Sequence, residues 1–306
     1  MNPLPAVALV VGVLVAGAYA VAVVDVAVFH RVASLPLRPA QVAAAPLHEA
    51  ALLVRTRRST TERPDARAWA LAPAVVAAMA AAAVASVPLA EGVAVADVDD
   101  GIVLFGAAMA MVMVGVYLHG WSSNSPFPLV GGYRFIALAL SYEMPLALVL
   151  IAAALPAESL SVGDIVESQA GLWNVVRQPL GLPLYLVAGM GLAFWGPLNG
   201  ADGADLAGGT AAEVSGPPRL AWELARRFVL VAVAVMGAAI FLGGWHGPVL
   251  PGAWWMALKT LALLALMVGI GHRVARVRLE RFVVVAWAGL IPLALVDVFV
   301  SGALAL

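Results

Sequence analysis

The stretch FIALALSYEMPLALVLIAAAL, residues 135–155, carries a single charged side chain, Glu143. A helix of about 20 predominantly apolar residues is long enough to cross the hydrocarbon core of a bilayer, which is roughly 30 Å thick. Apolar residues follow one another continuously here, whereas the strands of a membrane barrel alternate apolar and polar positions. The stretch therefore predicts a transmembrane helix.

Comparable apolar runs recur along the whole chain. Of its 306 residues, 63% are hydrophobic and 11% are charged, whereas soluble domains carry about 25% charged residues. The sequence predicts one all-α polytopic membrane domain, residues 1–306, with about eight transmembrane helices embedded in lipid. The predicted spans lie near residues 5–29, 68–90, 101–119, 133–155, 179–196, 224–245, 253–272 and 282–304. The first run lacks a basic segment before it, so we interpret it as a retained span rather than a signal peptide.

The basic residues predict how the chain is oriented. Four segments that alternate spans place on one face hold 15 of the 17 lysines and arginines, and the opposite loops hold Arg177 alone and are acidic. The positive-inside rule makes the arginine-rich face cytoplasmic and places both the N- and C-termini outside. Two cytoplasmic loops, 30–67 and 197–222, are longer than simple connections require.

Each long loop leaves two interpretations open. Residues 44–56 have an apolar face at helical spacing, which fits either an amphipathic helix at the lip of a membrane-surface site or a solvated basic loop. Residues 197–216 contain five glycines and three acids. They could form a flexible solvated loop, or fold into a cavity where Asp205 and Glu213 serve a proton path or a partner contact.

Two charges fall inside predicted spans. Glu143 lies mid-span, where a carboxylate costs several kcal/mol unless it is paired, protonated or hydrated. This position indicates a proton carrier, although a hydrogen bond between helices would also explain it. Lys259, in the seventh predicted span, could extend towards the outer face or pair with an acid.

Several classes of site are excluded by residue types. Cysteine is absent, so this chain offers no thiolate for zinc or for an iron–sulfur cluster. The five histidines are scattered, and nucleotide-binding and zinc-protease motifs are absent from the sequence. We therefore expect any redox centre to lie in another subunit, and we expect no nucleic-acid partner.

Longer motifs resemble a known family. HGWSSNSPFPLVGGYRFIALALSYE (119–143), IVESQAGLWNVVRQPLG (165–181), FLGGWHGP (241–248) and RVRLER (276–281) occur in order along the chain. They resemble the H-subunit (subunit 1) family of respiratory complex I, the proton-translocating NADH–quinone oxidoreductase. RPAQVAAAPLHEAALL (38–53) is a looser match to that family's first cytoplasmic loop, with Glu49 in place of an Asp.

The resemblance implies a function and a set of partners. The chain would be a membrane subunit of the bacterial inner membrane that contributes to a quinone-binding chamber and couples quinone reduction to proton translocation. It would bind no cofactor itself, because FMN, NADH and the iron–sulfur clusters would lie in partner subunits. Those partners would be quinone-reducing and iron–sulfur subunits on the cytoplasmic face, together with small membrane subunits.

The resemblance also implies roles for particular residues. Glu143, Asp205 and Glu213 would form the proton path, with Arg134 and Lys259 as charge partners. Arg38, Glu49 and Asp202 would line the quinone chamber.

The sequence departs from the family at charged positions. A Glu and an Arg are usual after the fifth span, but residues 192–199 read LAFWGPLN. This indicates a divergent paralogue with a reduced complex or weakened proton coupling. Two other hypotheses stay open on sequence alone: the membrane anchor of an energy-converting hydrogenase or formate hydrogenlyase, and a stand-alone solute carrier or structural scaffold.

Overall fold

The computed structural model describes residues 3–96, 98–203 and 208–305, and this part of the chain is built from α-helices. The helices are α1 Pro3–Val32, α2 Pro39–Arg55, α3 Ala66–Ala85, α4 Gly101–Ser122, α5 Pro126–Ala154, α6 Val162–Glu167, α7 Asn174–Arg177, α8 Gly181–Leu192, α9 Pro217–Phe241, α10 Gly252–Arg273, α11 Leu279–Val285 and α12 Ile291–Ala305. A π-helical turn, Ala286–Leu290, joins the last two.

Seven helical segments of the described chain are long and apolar enough to cross a membrane. They are Leu4–Val32, Ala66–Ala85, Gly101–Ser122, Pro126–Ala157, Pro217–Phe241, Gly252–Arg273 and Leu279–Ala303. A shorter apolar helix, α8, lies in the region of the fifth predicted span. The prediction of an all-α polytopic membrane protein is therefore confirmed, while the span boundaries, the single domain and the side on which the termini lie stay predictions.

Helix α8 has only 12 residues, a rise of about 18 Å, so it crosses part of a bilayer. The segment before it, which contains only the four-residue helix α7, is held by three fully buried amides, Gln169, Asn174 and Gln178. Their side-chain NH₂ groups donate to the carbonyls of Ala152, Ala153, Ile165, Ala239 and Ile240. Four of these carbonyls belong to the last turns of α5 and α9, where helical carbonyls lack intrahelical partners. Irregular backbone is thus tolerated because it is enclosed in protein.

Helix α9 lies at the centre of the bundle. Its most apolar window is 83% buried, against 22–56% for the other spans, and it packs on α1, α3, α8 and α10. Small residues allow this close packing: a Cβ placed on Gly17 of α1 would lie 2.7 Å from both methyl carbons of Val231. The polar first turns of α9 are therefore fixed in position by the rest of the helix.

The segments predicted to share one face meet at one end of the bundle. The amide of Ser59 donates to Ser215 Oγ at 2.8 Å, and the amide of Asp65 donates to the carbonyl of Ser122 at 2.8 Å. The amide of Val277 donates to the carbonyl of Pro197, also at 2.8 Å. We call this end, formed by the described parts of segments 33–38, 56–65, 123–125, 193–216 and 274–278, the basic end.

Candidate functional site

A polar cavity of about 310 Å³ lies at the basic end, between α1, α9, α10 and the segment after α8. It is lined by Asp25, Trp195, Gly196, Asn199, Glu223, Arg226, Arg227, Val268, Gly271, His272 and Arg276. We call it the basic-end cavity. Ionisable side chains near the ends of membrane spans that converge on one cavity are typical of a functional site.

One wall joins α1 to α10. His272 Nε2 lies 2.8 Å from Asp25 Oδ1, and both side chains are partly exposed to the cavity. Next to them the backbones of α10 and the segment after α8 approach closely, because a Cβ on Gly271 would lie 3.2 Å from the Cα of Gly196. Gly196 also adopts a positive φ of 57°, which favours glycine. The wall therefore depends on two glycines as well as on the His–Asp contact.

The second wall is Arg226 of α9, which forms a buried ion pair with Asp202 in the loop that follows α8; Asp202 itself does not line the cavity. Arg226 donates from Nη1 to Asp202 Oδ2 and from Nη2 to the carbonyl of Phe194 at 2.9 Å. Its guanidinium lies 4.6 Å from the centre of the Phe194 ring. The segment 192–199 lacks the two charges that the resemblance leads us to expect. It is instead contacted by a guanidinium from α9.

Asp202 is held from three sides. Besides Arg226, its carboxylate accepts hydrogen bonds from Trp222 Nε1 at 2.9 Å and Thr210 Oγ1 at 3.1 Å. A buried ion pair is favourable only when further hydrogen bonds satisfy the remaining polar atoms. The two donors to Asp202 therefore stabilise the ion pair that holds Arg226 in this wall.

Helix α2 reaches the cavity through a weaker contact. Arg227 Nη2 lies 3.8 Å from Glu49 Oε2 and 3.8 Å from Glu223 Oε2. The Glu49 side chain is 52% exposed, so the contact with Arg227 contributes little stability. The contact nevertheless places α2 beside the cavity, which agrees with the interpretation of residues 44–56 as an amphipathic helix at the edge of a site. Arg38, at the start of α2, is exposed and does not line the cavity.

Two predicted site residues, Arg134 and Glu213, lie where α5 meets the loop that precedes α9. Arg134 of α5 donates from Nη1 to the carbonyl of Gly208 at 2.8 Å. Glu213 accepts a hydrogen bond from Ser125 Oγ at 3.2 Å. Both contacts fasten the described parts of the loop to the first turns of α5. Asp205, another acid predicted in this region, lies outside the described residues.

Glu143 lies elsewhere. It follows Arg134 by nine residues on α5, a rise of about 13 Å, so the two do not meet. Its side chain lines an apolar groove of about 800 Å³ between α4 and α5, closed on one side by Trp287 of the π-helical turn. We call this the Glu143 groove. Within the described residues its carboxylate forms no hydrogen bond or ion pair, and π-turns often mark functional positions.

Lys259 lies at the opposite end of the bundle. Its ammonium donates to the carbonyls of Gly244 at 2.9 Å and His246 at 2.7 Å, and it lies 4.2 Å from the centre of the Trp173 ring. These contacts bind the α9–α10 connection to the bundle. Its partners in the described chain are carbonyls and indole rings rather than a carboxylate.

Sequence reasoning missed most of the cavity lining. Asp25 and His272 are 247 positions apart, so nothing local links them. Arg219, Glu223 and Arg227 follow one another at intervals of four on α9, which places alternating charges along one helical face. That spacing was the available signal for Glu223 and Arg227, which line the cavity, but it does not include Arg226. In the described residues no cluster of three His, Asp or Glu side chains is placed to hold a metal ion.

The packing of the loop that precedes α9 against α5 can be tested by substituting Gly131. A Cβ at this position would clash with the amide of Thr210 and lie 2.6 Å from the carbonyl of Ala201. We expect Gly131→Ala to displace the loop and cost about 1–3 kcal/mol through overpacking, measured as faster hydrogen exchange in residues 197–216. Gly269→Ala is the control, since open space surrounds that position. Unchanged exchange in the Gly131 variant would contradict the packing.

Fold and site together define a class: an integral membrane protein of packed α-helices whose charged cavity lies at one end of the bundle. A family model described as NADH dehydrogenase matches residues 9–302, almost the whole chain. The chain belongs to this family, which includes the H subunits of NADH–quinone oxidoreductase.

Curated relatives agree on one description, the H subunit of NADH–quinone oxidoreductase. An H subunit of Rhodopseudomonas palustris is 34% identical over 78% of this chain and 75% of its own length. An H subunit of Syntrophobacter fumaroxidans is 31% identical over 84% and 81%, and that of Anoxybacillus flavithermus is 33% identical over 78% and 73%. These relatives do not favour the hydrogenase-anchor hypothesis.

Proposed function

We propose that the chain is the membrane subunit of a complex I-type NADH–quinone oxidoreductase and that its basic-end cavity forms part of the quinone chamber. The observation that carries the proposal is the convergence of Asp25, Arg226 and His272 on one cavity at the end of the bundle, in a chain of the H-subunit family. In this proposal the basic end faces the bacterial cytoplasm and both termini lie outside.

The cavity suits the head of a quinone better than an ion. Its volume of about 310 Å³ matches the lower range of small-molecule sites. The guanidinium of Arg227 is suited to donate a hydrogen bond to a quinone oxygen. In its protonated form, the imidazole of His272 donates from Nε2 to Asp25 and keeps its Nδ1–H for the quinone. This chain would bind and orient the substrate, while partner subunits on the basic end supply NADH oxidation, FMN and the iron–sulfur clusters.

The contacts also suggest how charge in the cavity acts on α5. Arg226 binds Asp202, Asp202 binds Thr210, and the same loop binds Arg134 through the carbonyl of Gly208. A change of charge beside Arg226 would shift this loop and, through it, the first turns of α5. We assign Glu213 to the proton path on this basis, because it belongs to the same loop and binds Ser125. Glu143 is assigned to the path because it is a carboxylate within a membrane span, and Asp205 because it belongs to the same acidic stretch of sequence.

The Glu143 groove would receive the small membrane subunits. Its lining is apolar apart from the carboxylate of Glu143, the hydroxyl of Tyr142 and the indole N–H of Trp287. A partner helix bearing a hydrogen-bond donor would bury this acid, which a lipid chain could not satisfy.

His272→Ala tests the chamber. The variant removes a charge-assisted contact with Asp25 and a donor to the quinone, interactions worth about 1.5–3 kcal/mol. We expect kcat/KM for quinone in the assembled enzyme to fall at least about tenfold. His48→Ala is the matched control, because His48 is exposed on α2 and does not line the cavity. Equal quinone kinetics in the two variants would remove this cavity from the reaction.

A further inference from the structure

A second cavity, of about 380 Å³, lies between the first turns of α3 and α9 and shares no lining residue with the basic-end cavity. It is lined by Arg58, Ser59, Trp69, Ala70, Pro73, His119, Val214, Pro217, Pro218 and Ala221. None of these residues has a role in the function proposed above.

Two buried polar side chains line the inner part of this cavity. His119 is 1% exposed and Trp69 is 6% exposed. The His119 ring stacks on Trp222, with centroids 3.8 Å apart and planes 5° apart, and Trp69 flanks it at 6.2 Å. Both His119 ring nitrogens and the Trp69 indole nitrogen lack a hydrogen-bond partner in the described chain. Since buried polar groups are almost always paired, the Trp69 indole N–H and the single N–H of the His119 ring indicate a ligand that offers acceptor oxygens.

The mouth of the cavity has two different sides. Arg58 and Ser59 are exposed on the loop before α3, whereas Ala70 and Ala221 are exposed on the flanks of α3 and α9. Both helices are candidate membrane spans, beginning at Ala66 and Pro217. A basic side chain therefore borders the mouth on the loop side, and apolar helix surface borders it on the other. Basic pockets between spans at this level suit anionic lipid headgroups.

We propose that this cavity binds one anionic phospholipid. The phosphate pairs with Arg58, and the ester carbonyl oxygens accept hydrogen bonds from Trp69 and His119. The acyl chains leave between Ala70 and Ala221 along α3 and α9. A neutral ring compound such as a quinone could accept the same hydrogen bonds but would give Arg58 no opposite charge. The lipid would thereby fasten the loop before α3, which already contacts Ser215 through Ser59, to α9.

The test counts lipids on the intact complex. The assembled enzyme is purified in mild detergent, exchanged against phosphatidylglycerol or phosphatidylcholine, and analysed by native mass spectrometry. We expect one phosphatidylglycerol to remain bound to the unmodified enzyme. Its occupancy should fall about tenfold in Arg58→Gln and in Trp69→Phe. The second substitution keeps an aromatic ring but removes the indole N–H. Arg57→Gln is the matched control, because Arg57 is exposed and does not line the cavity.

Three outcomes would overturn the proposal. The first is equal phosphatidylglycerol retention in Arg58→Gln and the unmodified enzyme. The second is retention of zwitterionic phosphatidylcholine by the unmodified enzyme at the same occupancy as phosphatidylglycerol. The third is a quinone, rather than a phospholipid, released by both substitutions. If Trp69→Phe fails to assemble, Arg58→Gln decides alone, since an exposed arginine is not needed for folding.

Discussion

Replacing Asp202 with asparagine is expected to destabilise the assembled protein by about 3 kcal/mol, because it leaves the buried guanidinium of Arg226 without its opposite charge. Asparagine keeps Oδ1, the oxygen that accepts from Trp222 and Thr210. It replaces Oδ2, the acceptor of Arg226, with an NH₂ donor, so the change removes both the opposite charge and the acceptor that Arg226 uses. The effect should appear as a lower midpoint of thermal unfolding and less assembled complex in the membrane.

The double variant Asp202→Asn with Arg226→Gln provides the control. It removes both charges while keeping hydrogen-bonding side chains in place, and neutral replacements of buried ion pairs are often tolerated. We expect it to recover most of the lost stability. A double variant as unstable as the single one would show that the charge of Arg226 is not what Asp202 offsets.

The second large effect is expected from Glu143→Gln. Glutamine has nearly the same shape but cannot carry a proton, and a positioned acid or base typically contributes about 100-fold or more to proton transfer. We expect proton translocation by the enzyme in sealed vesicles to fall at least about tenfold, measured by a pH-sensitive dye during NADH oxidation.

Glu91→Gln is the comparison for this variant, because Glu91 is exposed in the α3–α4 connection. It should leave proton translocation unchanged. Translocation at the normal rate in Glu143→Gln, with normal assembly, would exclude Glu143 from the proton path and leave it a role in helix packing.

The spans could be predicted because each one must be a continuous apolar run long enough to cross the bilayer. Length and hydropathy suffice for α1, α3, α4, α5, α9 and α10. Length and hydropathy do not reveal that α8 is short. The segment before α8 is held instead by the side-chain amides of Gln169, Asn174 and Gln178, which donate to carbonyls up to 70 positions away. Contacts over such distances leave no periodic pattern in a sequence.

The site was predictable only in part, and for a similar reason. Resemblance brought attention to Glu49 and Asp202, and the structure places both against arginines that line the basic-end cavity. The family resemblance did not identify Arg226, because this residue belongs to α9 and contacts segment 192–199 only in the folded protein. Position in a span identified Glu143 as unusual, yet only the fold shows that it faces a groove on the outside of the bundle.

The most direct test of the central claim is to isolate the chain from its native membrane with its partners and measure quinone reduction. We predict that a tagged chain co-purifies with flavin and iron–sulfur subunits and that the preparation reduces quinone with NADH, with the rate lowered by His272→Ala but not by His48→Ala. Purification of the chain alone, or with a nickel-containing subunit and hydrogen-evolving activity, would contradict the account.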